Sequence, residues 1–103
     1  MKINQAQKDS YKIIEEYNEK NNLKHNKATV FPHLIEEVGE LSRELNHGIN
    51  NWREDFDKEK LGEEMADVLC QIFNLATDYN INLEKAFKNK IKKLRKRFEL
   101  DEK

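Results

Sequence analysis

Two groups of acidic residues carry the chemistry that this sequence can offer. The first is Glu36, Glu37, Glu40 and Glu44, and the second is Glu64 and Asp67. On a helix at about 100° per residue, Glu37, Glu40 and Glu44 fall in a sector roughly 60° wide, with Glu36 about 40° from Glu40. Glu37 borders the apolar position Leu41, so this acidic face turns toward the protein and not straight into water. Glu64 and Asp67 are i, i+3 neighbours on a second helix, and Glu64 lies beside Val68 at the edge of another apolar stripe. If the two segments pack antiparallel, Glu37, Glu40, Glu64 and Asp67 converge. Converging carboxylates repel, and burial disfavours each ionised form further. Protonation or a bound cation relieves this. Ligands that are all oxygen favour a hard divalent ion, Mg²⁺ or its substitute Mn²⁺. A metal held in this way activates and orients a water for attack on phosphorus.

Either group alone is a weak signal and is better read as a solvated helical face, because Glu is common there. Two groups on two amphipathic helices, each at the border of an apolar stripe, strengthen the metal reading. A di-iron bundle is the rival metal site and needs two Glu-x-x-His pairs. Glu44-Leu45-Asn46-His47 supplies one pair, and the second acidic helix supplies none.

The elements that must position these acids are helices. Tyr11, Ile14 and Tyr17 recur along a first helix over about 4–21. An Asn- and Lys-rich loop follows, over 21–27. A second helix begins near Val30, with Thr29 as its expected N-cap and Pro32 in the first turn, where a missing N–H is harmless. Its stripe is Phe31, Leu34, Ile35, Val38, Leu41 and Leu45. Gly48 is expected to stop it and to open a loop to Asp57. A third helix over about 58–79 turns Leu61, Met65, Val68, Leu69, Ile72, Phe73, Ala76 and Tyr79 inward. Asn82 caps a fourth, with Leu83, Phe87, Ile91, Leu94 and Phe98 on one face. The expectation is a single all-α domain over 1–103, like a four-helix bundle.

Composition narrows the class further. With Gly 3 and Pro 1 in 103 residues, the chain lacks the turn residues of an all-β sandwich or barrel. No stretch reaches the roughly 18 to 20 continuous apolar residues of a membrane span, and the N-terminus lacks the apolar core of a signal peptide. A lone Cys70 excludes an internal disulfide, suits a reducing compartment, and is expected to be a small packing residue. These features point to the cytoplasm and away from membranes. The formal charge is -1, from 19 basic and 20 acidic residues, which argues against a uniformly basic nucleic-acid binder. A domain of this size buries only about 60 to 70% of its unfolded surface. Only 37% of the residues are hydrophobic, so a core completed by self-association is expected.

Around the acids the sequence resembles a known family. The segments HLIEEVGELSREL and LGEEMADVLCQIFNLATDYNINLEKAFKNKI resemble the MazG-like all-α nucleoside triphosphate pyrophosphohydrolases. The resemblance rests on a two-part motif, EExxE then ExxD, here Glu36-Glu37-Val38-Gly39-Glu40 and Glu64-Met65-Ala66-Asp67. It implies a MazG-type fold and Mg²⁺-dependent cleavage of a nucleoside triphosphate to the monophosphate and pyrophosphate. It also implies Glu37, Glu40, Glu64 and Asp67 as metal ligands, Glu36 as a water-orienting acid, and a homodimer or homotetramer.

The last helix gathers Lys85, Lys88, Lys90, Lys92, Lys93, Arg95, Lys96 and Arg97. Most of these are expected to be a solvated face, with cations suitably placed near a helix C-terminus. The family pattern there resembles KxxxNxxR. Lys90 and Arg97 match its ends and are candidate phosphate contacts, whereas Leu94 stands at the Asn position. Trp52, between the two acidic motifs, is a candidate stacking surface for a base or else a packing contact. His33, one turn before Glu37, is expected to be a structural neighbour. The departure at Leu94 keeps a non-catalytic oligomerisation or nucleotide-binding module as the alternative. A nucleic-acid module finds no helix-turn-helix pattern to support it.

Overall fold

The computed structural model describes residues 2–49 and 57–101, and over these residues the protein is all-α. Helix α1 spans Ile3–Lys20, α2 spans Val30–Ile49, α3 spans Lys58–Asp78 and α4 spans Leu83–Arg97. The connections are short and specified by their residues. Asn22 (φ 57°) and Asn80 (φ 56°) take the left-handed conformation just after α1 and α3. The amides that follow, Leu23 and Ile81, donate back to the carbonyls of Asn18 and Ala76, each at 2.8 Å. Asparagine tolerates that conformation, and this doubled-back bond closes the last helical turn. Asp57 and Asn82 cap α3 and α4 by accepting from the amides of Lys60 and Lys85.

Two local expectations are corrected. Thr29 does not cap α2. It lies in a short 3₁₀ turn, Lys27–Thr29, capped by Asn26, whose side chain accepts from the Ala28 amide at 2.9 Å. Asparagine accepts there as well as threonine would, and it stands at the actual entry to the turn. Gly48 does not stop α2, which runs on to Ile49. Glycine costs a helix only about 1 kcal/mol relative to alanine, and among the described residues no glycine takes a positive φ, so none caps a helix end here.

Helices α2 and α3 pack along each other, α1 packs on α3, and α4 packs chiefly on α1. The shape is open. The radius of gyration is 16.8 Å, against about 13 Å expected for a compact chain of this length. Among the described residues the buried apolar ones are Val30, Phe73 and Ala76, where the start of α2 meets the end of α3. Much of the expected inward stripe is on the surface of the single chain. Phe31, Ile35 and Val38 of α2, Met65 and Leu69 of α3 with Tyr79 just after it, and Phe87 and Ile91 of α4 with Phe98 just after it are all exposed. Cys70 is exposed too, which corrects its expected packing role. The periodicity identified amphipathic faces correctly, but it did not say which of them one chain covers by itself.

α1 is held mainly by polar contacts. Gln7 donates to Thr77 Oγ1, and Ser10 donates to Asn74 Oδ1 at 2.9 Å. The strongest node is Asp78, whose side chain is 1% exposed. It accepts from the Tyr11 hydroxyl at 2.8 Å and from His25 Nε2 at 2.8 Å. Burial, then the hydrogen bond and charge of Asp78, push the Tyr11 hydroxyl up to about 12. This node ties α1 and the loop before α2 to the end of α3, and so fixes where α2 begins.

Candidate metal and phosphate site

The acids meet as a ladder between α2 and α3. Lys60 pairs with Glu44 at 3.3 Å. One turn along, Glu40 and Glu64 face each other. One turn further, the charge of Asp67 acts on Glu37. Each step forward on α2 is matched by an equal step back on α3, so the two helices run antiparallel in register. The alternation of acids and apolar residues at helical spacing produces this: Leu34, Leu41 and Leu45 turn partly into the seam, and Glu37, Glu40 and Glu44 turn to its rim.

Glu37, Glu40 and Glu64 each present a carboxylate oxygen, and these oxygens all lie within 4.8 Å of one another. Glu37 and Glu64 are half-buried, and Glu40 is exposed. Burial holds the Glu37 carboxyl above its ordinary range, and the charges of Glu40, Asp67 and Glu36 push it the same way, against a smaller opposing effect of His33. Glu64 is raised by the same physics, first by loss of solvent and then by Glu40 and Asp67. One oxygen on each, Oε2 of Glu37 and Oε2 of Glu64, is buried with no hydrogen-bond partner. A buried carboxylate oxygen without a donor needs a proton or a cation. The donor set is all oxygen, so the residues fit a hard divalent ion.

The other expected site residues take different places. Asp67 is exposed and lies outside the close trio, yet its charge reaches both Glu37 and Glu64. Glu36 has a side chain 69% exposed and lies 3.7 Å from His33 Nδ1. Lys90 and Arg97 are exposed on α4, and among the described residues neither forms an ion pair. Trp52 and the side chain of His47 lie outside the described residues.

Two features went unread in the sequence. The first is the Lys60–Glu44 pair, which the i, i+4 spacings Lys60–Glu64 and Glu40–Glu44 would have revealed once α2 and α3 were set in register. The second is a cavity of about 410 Å³ at the opposite end of the ladder, lined by Ile14, Tyr17, His25, Val30, His33 and Gln71. Its residues come from α1, the loop and both acidic helices, so no single segment signals it. A larger cleft of about 550 Å³ lies between α1 and the α3–α4 connection, and it holds no carboxylate cluster.

Fold and site together define a class: an all-α protein whose paired acidic helices bring Glu37, Glu40 and Glu64 together as a candidate divalent-cation site. The chain belongs to the MazG nucleotide pyrophosphohydrolase domain family, whose model matches residues 25–99, from the loop before α2 to just past α4. No curated protein matches the sequence significantly. Membership supports nucleotide pyrophosphohydrolase chemistry in general, in a family that is generally dependent on divalent metals. Among the described residues, no helix is long and apolar enough to cross a membrane.

Proposed function

We propose that the protein hydrolyses a nucleoside or deoxynucleoside triphosphate to the monophosphate and pyrophosphate, with Mg²⁺ as cofactor and Mn²⁺ as a substitute. The observation that carries this reading is the pair of buried, unpartnered carboxylate oxygens on Glu37 and Glu64, within a trio of acids completed by Glu40. These three acids and Asp67 would hold the metal. When bound, the ion supplies charge neutralisation for the phosphates and acidifies a bound water.

The remaining work falls to positioning. Glu36, exposed beside Glu37, orients the attacking water and accepts its proton. The 410 Å³ cavity beyond His33 and Gln71 is of a size that takes a nucleoside. Its apolar wall of Ile14, Val30 and Tyr17 offers packing, and His33 and Gln71 offer polar groups. Lys90 and Arg97 stay in this reading as phosphate contacts and Trp52 as a stacking surface. Water is the nucleophile in this reading and the trio is assigned to the metal, so catalysis rests on orientation and electrostatics.

The exposed apolar residues support self-association into a homodimer or homotetramer. Ile35 and Val38 on α2 and Met65 and Leu69 on α3 leave a face that a single chain does not cover. The lone cysteine, which suits a reducing compartment, supports a cytoplasmic location. The test is a panel of nucleotides with Mg²⁺ and Mn²⁺, resolved by product identity. Monophosphate and pyrophosphate from at least one triphosphate support the reading, and no turnover across the panel overturns it.

A further inference from the structure

The two ends of the acidic ladder differ in chemistry. One end opens on the cavity beside His33 and Gln71. The other ends on Lys60, whose ammonium lies 3.3 Å from Glu44 Oε1. Among the described residues, Lys60 is the one Lys or Arg that forms an ion pair with a residue of α2 or α3. It sits one helical turn from Glu64, and Glu44 sits one turn from Glu40, on the same rim.

We propose that Lys60 grips the terminal phosphates of the substrate, so that the departing pyrophosphate lies at the Lys60 end of the ladder and the nucleoside at the His33–Gln71 end. This rests on the pyrophosphohydrolase reading. Three observations support it. An ammonium carries three N–H donors. Among the described residues Glu44 is its one carboxylate partner, and the Lys60 side chain is 56% exposed, so donors remain available to a second anion. Glu44, with a side chain only 18% exposed, is the more fixed partner and holds the flexible lysine at the rim.

Charge and length agree with this placement. Once cations balance the carboxylates of the ladder, the charge of a triphosphate still needs a partner. Lys60 lies about 6 Å along α3 from Glu64, at about 1.5 Å per residue, so a triphosphate with its α-phosphate beside Glu40 and Glu64 extends its β- and γ-phosphates toward Lys60. An ion pair whose ammonium is more than half exposed contributes little stability by itself. Glu44 therefore serves better as a positioning residue for Lys60 than as one half of a structural clamp.

The test is calorimetric binding of inorganic pyrophosphate and of a nucleoside monophosphate, both with Mg²⁺, to wild type, Lys60→Met, Lys60→Arg and Glu44→Gln. Circular dichroism confirms that each variant is folded. Loss of one charge-assisted contact is expected to weaken pyrophosphate binding about ten- to a hundredfold in Lys60→Met. Monophosphate binding should stay near wild type, Lys60→Arg should restore most of the loss, and Glu44→Gln should cost clearly less than Lys60→Met. Equal losses for both ligands, or a Glu44→Gln that reproduces Lys60→Met, would mean a structural clamp and overturn the inference. Wild-type pyrophosphate affinity in Lys60→Met, with the wild-type enzyme active, overturns this inference alone. A wild type that neither binds nor cleaves nucleotides overturns it together with the reading on which it rests.

Discussion

Glu37→Gln should make the metal-free protein more stable and at the same time remove its response to Mg²⁺. The substitution keeps shape and removes one charge from a trio whose oxygens lie within 4.8 Å of one another. Two unit charges at that separation repel by about 0.9 kcal/mol in water and by about 3.5 kcal/mol at an effective dielectric of 20. Glu40 is exposed and Glu37 only half-buried, so the lower end applies, and about 1 kcal/mol of stabilisation is expected. For a domain near 100 residues this raises the melting temperature by about 4–8 °C. The assay is thermal unfolding at pH 8 in chelator, then with Mg²⁺ in millimolar excess. Wild type should gain stability on adding Mg²⁺ by linkage, because the folded state alone holds the site. Glu37→Gln should start higher and gain little. A variant that is less stable than wild type in chelator, or that responds to Mg²⁺ as wild type does, would refute the electrostatic reasoning.

Other consequences are equally open to measurement. The Glu64 carboxyl is raised above its unfolded value of 4.5. The stability it contributes is therefore fully present below about pH 4.5 and is lost as pH rises through the raised folded value. Denaturant melts of metal-free wild type and Glu64→Gln should coincide at low pH, and the variant should become the more stable protein as pH rises. A gap that opens toward acid would contradict the sign. Asp78→Ala removes a buried acceptor used by Tyr11 and His25, and urea melts should show a loss of about 3 kcal/mol, summed over two charge-assisted bonds. An unchanged midpoint would count against the node as an anchor for α1 and the loop. Ile35→Lys places a charge on the exposed apolar face of α2. Light scattering should show a shift to the monomer, and an unchanged mass would exclude that face from the subunit contact.

The acidic site was legible because it is written in two local patterns. Glu37 and Glu40 share a helical face, Glu64 and Asp67 share another, and each group touches an apolar stripe. The pattern brings the acids together only if the two helices run antiparallel, which the Glu44–Lys60 and Glu40–Glu64 pairs establish. The Asp78 node was not legible in this way. Tyr11, His25 and Asp78 lie on three separate segments, and no periodicity links a polar residue to a partner more than 50 positions away. The placement of α4 was hidden for a related reason. Leu83, Phe87 and Ile91 mark an amphipathic helix, yet nothing in their spacing selects α1 over α2 or α3 as its support. Thr29 and Gly48 misled for local reasons. Asn26 is an equally good cap three residues earlier, and one glycine is a small cost in a helix of 20 residues.

The central claim, that the acidic ladder splits a triphosphate into monophosphate and pyrophosphate, is tested most directly by product release from wild type and Asp67→Asn side by side. Both proteins would be assayed at saturating Mg²⁺ with the best nucleotide of the panel, and both shown to be folded by circular dichroism. Wild type should yield pyrophosphate and monophosphate in equal amounts, and Asp67→Asn should yield neither above background. Equal release by the two proteins, or orthophosphate as the product, would contradict it.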